Sequence, residues 1–130
     1  MIMMSFEEAE ILRERAEDFL RNAERLLEEG VYDLAAFNIE QYCQLILKYK
    51  LLVKTGTYPR THSIMRLIRM LSETSGNLSE LLRGDRILYL TKIEDAHIGA
   101  RYLPRRYEES EVRSMLKFVR EVFKPLVDGV

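Results

Sequence analysis

Hydrophobic residues recur at intervals of three and four along most of the chain, the spacing that puts side chains on one face of an α-helix. The first such stripe comprises Ala9, Leu12, Ala16, Phe19, Leu20, Ala23, Leu26 and Leu27. Ser5 and Glu8 precede and open it with the spacing of a capping box. Gly30 follows it and favours the left-handed conformation that ends helices. Because apolar patterning resumes directly after Gly30, the sequence predicts a tight antiparallel hairpin of two helices.

The second helix, from about Tyr32 to Thr55, is apolar on nearly all sides. One broad arc of its surface comprises Leu34, Ala35, Ile39, Tyr42, Leu45, Ile46, Tyr49 and Val53. A helix with so little polar surface is buried on more than one face. We therefore predict that it is the central helix of the fold, and also a candidate contact with a second subunit.

Polar residues interrupt this helix on two sides. Asn38 and Gln41 flank the apolar arc, and we interpret them, together with Tyr42, as packing or interface residues that specify register. The alternative is that Asn38, Gln41 or Lys48 lines a ligand cleft. Glu40, Gln44 and Lys48 lie on the less apolar side of the helix.

Helix breakers divide the remainder of the chain. Gly56 and Pro59 place a loop at residues 55–63, and Thr61 or Ser63 can cap a short third helix after it. The stripe of that helix is Ile64, Leu67, Ile68 and Leu71.

Two further helical regions follow. One begins near Asn77, bends or breaks near Gly84 and ends before Pro104. The last helix has acids in its first turn, where the helix dipole favours them, and an apolar stripe that runs from Val112 to Leu126. No segment has the pattern of a strand. We therefore predict an all-α fold, an up-and-down bundle of four long helices plus a short one, as a single domain over residues 1–130.

Length and composition narrow the class of protein. A chain of 130 residues fits one domain, and 47% hydrophobic with 32% charged residues suits a folded, helix-rich protein. The apolar runs are too short for a membrane span, and residues 1–5 are too short for a signal peptide. The single Cys43 excludes an internal disulfide, so we expect a cytoplasmic protein.

Charge is distributed unevenly although the net charge is only −1. Residues 1–29 contain nine acids and four arginines, whereas residues 48–106 contain twelve Lys and Arg and five acids. The basic middle of the chain could face an anionic ligand or an acidic partner, or be an ordinary solvated surface. Arg outnumbers Lys fourteen to six, and Asn and Gln are scarce, which hints at a thermophile.

Several kinds of chemistry have little support. Glu94 and His97 form one Glu-x-x-His pair, but di-iron bundles need a second pair, and His62 has no Glu at that spacing. We therefore expect no metal and no cofactor. Cys43 lies in an apolar helix, where a thiol is usually inert. The glycine-rich phosphate-binding loops are absent, so a bound nucleotide would be held by Arg and Lys side chains or by helix N-termini.

Two patches are candidates for ligand binding. His62 lies with Arg60, Thr61 and Ser63 in a loop that leads into a helix. The second patch interleaves arginines with tyrosines, a mixture that grips phosphate and stacks on bases: Arg101, Tyr102, Arg105, Arg106 and Tyr107. The alternative for this patch is that the tyrosines pack the end of the bundle while the arginines are solvated.

Three segments in order resemble the HEPN (higher eukaryotes and prokaryotes nucleotide-binding) domain family. The first, RAEDFLRNAERLLEEGVYDLAAFNIEQYCQLILKYKLL (Arg15–Leu52), contains the EGxYDxAAFxxEQ junction. The second, GTYPRTHSIMRLI (Gly56–Ile68), matches a G-x-x-P-x-T-H-S loop. The third, ARYLPRRY (Ala100–Tyr107), is similar to the A-R-Y-P…Y element before the last helix. The resemblance covers residues 9 to 127.

The resemblance implies a helical bundle that forms homodimers and often pairs with a separately encoded minimal nucleotidyltransferase in a toxin–antitoxin-like module. Many members of the family are metal-independent ribonucleases with an Arg-x(4–6)-His motif. In this sequence no Arg has that spacing to His62 or His97, and Lys92 is the nearest approach to His97. Lys cannot make the bidentate contact of Arg.

These features lead to three hypotheses. We favour a non-catalytic homodimer that binds a nucleotide, RNA or the nucleotidyltransferase through His62 and the Arg101–Tyr107 patch. The alternative is a divergent endoribonuclease in which His97 acts with Lys92 or Arg101. The third is a purely structural dimer that serves as a scaffold for the nucleotidyltransferase.

Overall fold

Helices form most of the part of the chain that the structure, a computed structural model, describes, namely residues 2–3, 6–74 and 76–130. In chain order the helical elements are α1 (Phe6–Glu28), α2 (Tyr32–Thr55), α3 (Ile64–Ser72), a 3₁₀ segment (Gly76–Leu82), α4 (Arg86–Tyr102), α5 (Glu109–Phe118), a π-helical turn (Val119–Phe123) and α6 (Lys124–Asp128). The last three are continuous and make one long helix. The predicted all-α bundle of four long helices plus a short one is confirmed.

A short strand pair is present that the sequence pattern did not predict. Strand β1 (Ile2–Met3) pairs antiparallel with β2 (Thr57–Tyr58), with Ile2 opposite Tyr58. Two-residue strands are too short to have a detectable alternation of polar and apolar residues. The predicted cap of the first helix at Ser5 lies outside the described residues.

The α1–α2 hairpin turns at Gly30. This glycine has φ 78°, and the backbone N–H groups of Gly30 and Val31 donate to the carbonyls of Leu27 and Leu26 at 3.1 and 2.9 Å. Such bonds satisfy carbonyls that the end of a helix leaves unpaired, and glycine adopts the left-handed backbone without a Cβ clash. The predicted hairpin is confirmed, and the α1 stripe packs along α2.

Helix α2 is the centre of the bundle. It contacts α1, α3, α4 and α5, and its buried side chains lie on more than one face, as predicted. Two details differ from the sequence pattern. Leu34, placed in the apolar arc, is 48% exposed, whereas Glu40 and Gln44, on the less apolar side, are buried. The sequence pattern predicts burial from polarity alone. Glu40 and Gln44 are buried because α4 and the loop before α3 cover the polar side of α2.

Short-range contacts determine the ends of α3 and of the last helix. The side chain of Ser63 accepts a hydrogen bond from the backbone N–H of Arg66 at 3.2 Å and caps α3, whose predicted apolar stripe is fully buried. In the last helix the π-helical turn takes up an additional residue. The core position therefore falls on Val127 rather than on Leu126, which is partly buried.

Among the described residues, no helix has the length and apolar character to cross a bilayer.

Candidate functional site

A column of polar side chains follows one side of the central helix. Glu40, Gln44 and Lys48 are spaced four residues apart, so they lie one above the other on α2. The Glu40 side chain is fully buried and Gln44 nearly so. Burial of a carboxylate inside a bundle is costly unless its oxygens have partners. The contacts of Glu40 therefore determine what this side of the helix can do.

Both carboxylate oxygens of Glu40 are engaged. Its Oε1 accepts from Gln41 Nε2 at 2.8 Å, and its Oε2 accepts from Gln44 Nε2 at 2.7 Å. His97 Nδ1, from α4, lies 3.3 Å from Oε1. Burial raises the pKa of Glu40 to about 7, although the two amide donors act in the opposite direction. Near neutral pH the Glu40 carboxyl group is therefore only partly ionised.

The orientation of Gln44 follows from its neighbours. Lys48 Nζ lies 3.0 Å from Gln44 Oε1, and an ammonium group can only donate. The side-chain oxygen of Gln44 therefore faces Lys48, and its NH₂ group faces Glu40. His62 Nδ1 lies 3.1 Å from the same oxygen, so Nδ1 of His62 bears the hydrogen. The other ring nitrogen, Nε2, then holds the lone pair and can act as a base or acceptor.

The two histidines of the chain stack on each other. The ring centroids of His62 and His97 are 4.4 Å apart, with an angle of 22° between the rings. Burial is the largest cause that lowers the pKa of each histidine, and nearby cations, among them Lys48, lower it further. Both rings are therefore neutral at pH 7. Tyr42 Oη is the sole fully buried, unpaired side-chain polar atom among the described residues, so the unpaired Nε2 of His97 is not fully buried.

Two cations border the histidine pair. The guanidinium group of Arg101 lies 4.7 Å from the ring centroids of both Phe37 and Tyr102, and its Nε donates to the backbone carbonyl of His97 at 2.7 Å. Lys48 is half-buried, and burial lowers its pKa. We call the following set the histidine cluster: Glu40, Gln44, Lys48, His62, His97 and Arg101. It places two neutral imidazoles and two cations around one point of the surface.

A cavity of about 500 Å³ adjoins the histidine cluster at His62. Glu94 and Asp95 contribute acids to its wall, and Arg105 contributes one cation. Since this wall is mixed in charge, it attracts an anion less than the side that Lys48 and Arg101 border.

The structure brings only some of the predicted site residues together. His62, His97 and Arg101 converge, and the exposed Tyr102 lies next to Arg101. Arg105, in contrast, donates to both oxygens of Glu111 at 2.9 and 2.8 Å.

Arg106 and Tyr107 contact the start of the central helix instead. Arg106 pairs with Asp33 at 3.1 Å, and the backbone N–H of Tyr107 donates to the same carboxylate at 2.8 Å. Tyr107 is buried at the end of the bundle. A binding role for Arg105, Arg106 and Tyr107 stays a prediction, and these contacts give each of them a structural role.

In two motifs noted in the sequence, the residue that precedes His97 contacts a different partner in the structure. Lys92, the closest match to the ribonuclease arginine, pairs with Glu111 at 2.5 Å, so Arg101 and not Lys92 accompanies His97. Glu94, three residues before His97, bonds to Ser63 instead. Among the described residues, no group of three or more His, Cys, Asp or Glu is arranged to hold a metal ion.

The residues assigned to packing lie as follows. Asn38 is buried, and it donates to the carbonyl of Leu34 at 2.7 Å and accepts from Asn22 at 3.0 Å. Tyr42 is fully buried with its ring edge against Phe123. Gln41 is half-buried and belongs to the Glu40 network.

Sequence reasoning did not assign a site role to Glu40 or Gln44. The available signal was the four-residue spacing of Glu40, Gln44 and Lys48 within an otherwise apolar helix. That spacing alone does not distinguish a solvated stripe from a covered one, because the partners His62 and His97 are 18 and 57 residues away in the chain.

The fold and the cluster define the class of protein: an all-α bundle whose central helix holds a buried polar network against histidines from two other elements. Residues 9–130, nearly the whole chain, match the sequence model of the HEPN domain. The chain belongs to the HEPN domain family, which supports a helical module of nucleotide-binding or ribonuclease-like type. A search of curated proteins finds no significant match.

Proposed function

We propose that this HEPN domain binds the phosphate of a nucleotide or RNA at the histidine cluster, without catalysis, and acts as a homodimer. The observation that carries the proposal is the stacked His62–His97 pair held by the buried Glu40–Gln44 network. A helix that served only packing would not need a fully buried carboxylate at this position, since apolar residues there cost less. Perturbed titratable groups that converge at a surface favour a functional site.

The charges around the pair favour an anion. Lys48 and Arg101 border the histidines, and Arg101 has no carboxylate partner in the described part of the chain. A phosphate bound there would favour protonation of the histidines, which would then donate charge-assisted hydrogen bonds. Tyr102 is 69% exposed, lies beside Arg101 and offers an aromatic face to a base.

The test is binding of nucleotides and of a short labelled RNA at low salt, measured by calorimetry and fluorescence anisotropy. We expect Arg101→Gln to weaken binding about tenfold, because one charge-assisted contact is lost. Arg106→Gln is the matched comparison, since Arg106 is also an exposed arginine but pairs with Asp33. Equal losses in the two variants would indicate only general attraction to positive charge, and a loss confined to Arg106→Gln would move the site to the Arg105–Tyr107 patch. No binding of any nucleotide or RNA would refute the proposal.

A divergent endoribonuclease is the second candidate, and one observation favours it. His62 and His97 each have an unpaired Nε2 in the described structure, and the Glu40 contact orients the ring of His97. One imidazole could accept the proton of a 2′-hydroxyl as its oxygen attacks the adjacent phosphorus. The other imidazole would act as the acid after the bound phosphate has favoured its protonation. It would give its Nε2 proton to the departing 5′-oxygen, so that the products are a 2′,3′-cyclic phosphate and a free 5′-hydroxyl.

The same RNA incubation separates the two candidates. Cleavage that His97→Asn abolishes would favour the enzyme, and intact RNA that remains bound would favour the binding module. The asparagine keeps a donor towards Glu40 and so limits damage to the fold. The protein partner that the family resemblance implies is tested first by whether the neighbouring reading frame encodes a minimal nucleotidyltransferase, and then by co-expression with that enzyme.

A further inference from the structure

The longest stretch without an acidic residue runs from Gln41 to Ser72 and forms the end of α2, the following loop and α3. It contains six cations, Lys48, Lys50, Lys54, Arg60, Arg66 and Arg69. Half of the twelve cations of residues 48–106 therefore lie in one continuous part of the chain that contains no acid.

The cations of this stretch differ from most others in the chain in that no carboxylate neutralises them. Elsewhere, ion pairs to Asp or Glu engage Arg13, Lys92, Arg105, Arg106, Arg113, Arg120 and Lys124, among others. Within the described residues, none of the six cations of the stretch has such a pair. Lys50 donates to the carbonyls of Asp128 and Val130, and Lys48 donates to Gln44.

Four of the six are exposed and have no hydrogen-bond partner for their charged group in the described structure. We call these four the basic face: Lys54, Arg60, Arg66 and Arg69. Two acids lie close to this face, Glu73 four residues after Arg69 and Glu94 against the backbone of Met65. Within the described residues neither acid forms an ion pair with the four cations, which outnumber them, so the face keeps a net positive charge.

The basic face leads directly to the histidine cluster. Arg60 lies two residues before His62, and α3 begins two residues after His62. Arg66 lies in the first turn of α3. Arg69 follows one turn later on the side of α3 opposite to the buried stripe. Since α3 alone extends about 13 Å, the face is too long for a single phosphate group.

The N-terminus of α3 is not the anion site. The carboxylate of Glu94 already accepts from Ser63 Oγ and from the backbone N–H of Met65 at 3.1 Å each. The side chains of the basic face, and not the helix end, are therefore available to a ligand.

The pattern fits a nucleic-acid strand better than an acidic protein. Protein interfaces have an apolar, desolvated centre, and the outward side of α3 presents arginines instead. Single strands are held by a row of cations together with aromatic rings on which bases stack. Both are present, since the exposed Tyr102 lies beside Arg101 at the histidine cluster.

We infer that the basic face binds the sugar–phosphate backbone of a single-stranded RNA that continues into the histidine cluster. The ligand is then a strand of several nucleotides and not a mononucleotide. This inference rests on the proposed function, because it extends the ligand of the same site.

The experiment compares uridine monophosphate with a labelled oligouridylate of about 12 nucleotides, a length within the range of known single-strand sites. The test variant is Arg66→Gln with Arg69→Gln. Its control is Arg15→Gln with Lys117→Gln, which removes the same charge from two exposed, unpaired cations on α1 and α5. Circular dichroism verifies that each double variant remains helical.

We expect the oligonucleotide to bind more tightly than the monophosphate. The Arg66/Arg69 variant should weaken oligonucleotide binding about tenfold at low salt and reduce the slope of log K against log salt by about 1.4, which corresponds to two lost phosphate contacts. Monophosphate binding should be unchanged, and the control variant should bind both ligands as the unmodified protein does.

Three outcomes would overturn the inference. The strand could bind no more tightly than the monophosphate, or both double variants could lose affinity equally, which would indicate only general attraction to a cation. Polyglutamate could bind as strongly as RNA and lose affinity in the Arg66/Arg69 variant, which would identify a face for an acidic protein. The proposed function would survive each of these if Arg101→Gln still weakened monophosphate binding, and it would fail only if neither nucleotide ligand bound.

Discussion

Glu40 is the residue whose environment differs most from its sequence context. It is fully buried, yet both of its oxygens accept hydrogen bonds from side-chain amides of the same helix. These amides replace part of the hydration that the carboxylate loses, and the remaining cost appears as a pKa raised to about 7. Glu40 therefore holds His97 and Gln44 in place at the expense of stability near neutral pH.

Substitution Glu40→Gln should change how stability depends on pH. The folded protein holds a proton on Glu40 up to about pH 7, whereas the unfolded chain releases it near pH 4.5. The stability of the unmodified protein therefore falls as pH rises through this window, and the variant lacks that loss. The difference in the free energy of unfolding, variant minus unmodified protein, should therefore increase by about 1–3 kcal/mol from about pH 5 to about pH 8. Urea unfolding measures it.

The histidines act with the opposite sign. Their lowered pKa values cost stability as pH falls below about 6.5, and both proteins keep them, so this contribution largely cancels in the difference. Glu121→Gln, at an exposed carboxylate of the last helix, is the control. A difference that stays constant with pH for Glu40→Gln would mean that Glu40 is ionised throughout.

At the scale of elements, Glu94 connects two helices. Its carboxylate belongs to α4, and it accepts from Ser63 Oγ and Met65 N at the N-terminus of α3. An acid at this end of a helix is favoured by the dipole and satisfies an otherwise unpaired N–H. Because His62 immediately precedes Ser63, this contact also determines where His62 lies relative to His97.

Replacement of Glu94 by Ala should destabilise the protein by about 1–2 kcal/mol, since Met65 N–H and the Ser63 hydroxyl lose an acceptor. Chemical denaturation measures the change, and the NMR signals of the His62 ring should shift. Asp95→Ala is the matched control, because Asp95 is the next residue of α4 and is exposed. Equal stability of the two variants would show that the link between α3 and α4 contributes nothing.

At the scale of the whole molecule, one side of the central helix is only partly covered. Leu34 is 48% exposed, and the half-buried Gln41 and Leu45 follow it at helical spacing. This partly exposed side of α2 lies between α1 and α4 and suits a contact with a second copy of the chain. A homodimer is also what the family resemblance implies. The histidine cluster would then lie close to the subunit interface.

Sedimentation velocity tests this assembly. We expect the unmodified protein to sediment as a dimer and Leu34→Glu to sediment as a monomer, because a charge at the contact would be desolvated without a partner. Leu88→Glu is the control, since Leu88 is 67% exposed on α4. A monomeric unmodified protein, or a dimer that only the Leu88 variant breaks, would contradict the assignment of α2 to the interface.

The helices were predictable because each has a local cause. The spacing of Ile64, Leu67 and Leu71 predicts α3, and Gly30 predicts the end of α1. The site was predictable only in part. His62, His97 and Arg101 were candidates because of their chemistry, but their convergence depends on contacts between residues far apart in the chain. The short strand pair and the π-helical turn have no sequence period that would reveal them.

By itself, the sequence determined the helical class, the central role of α2, the separation of charge and the resemblance to the HEPN family, because periodicity, composition and local motifs are properties of neighbouring residues. The tertiary structure decided which polar residues of α2 are covered, which histidine faces which partner, and which arginines remain unpaired. Burial and pairing arise from segments that fold against each other, so Glu40 changes from a residue on the less apolar side of a helix to the buried centre of the histidine cluster.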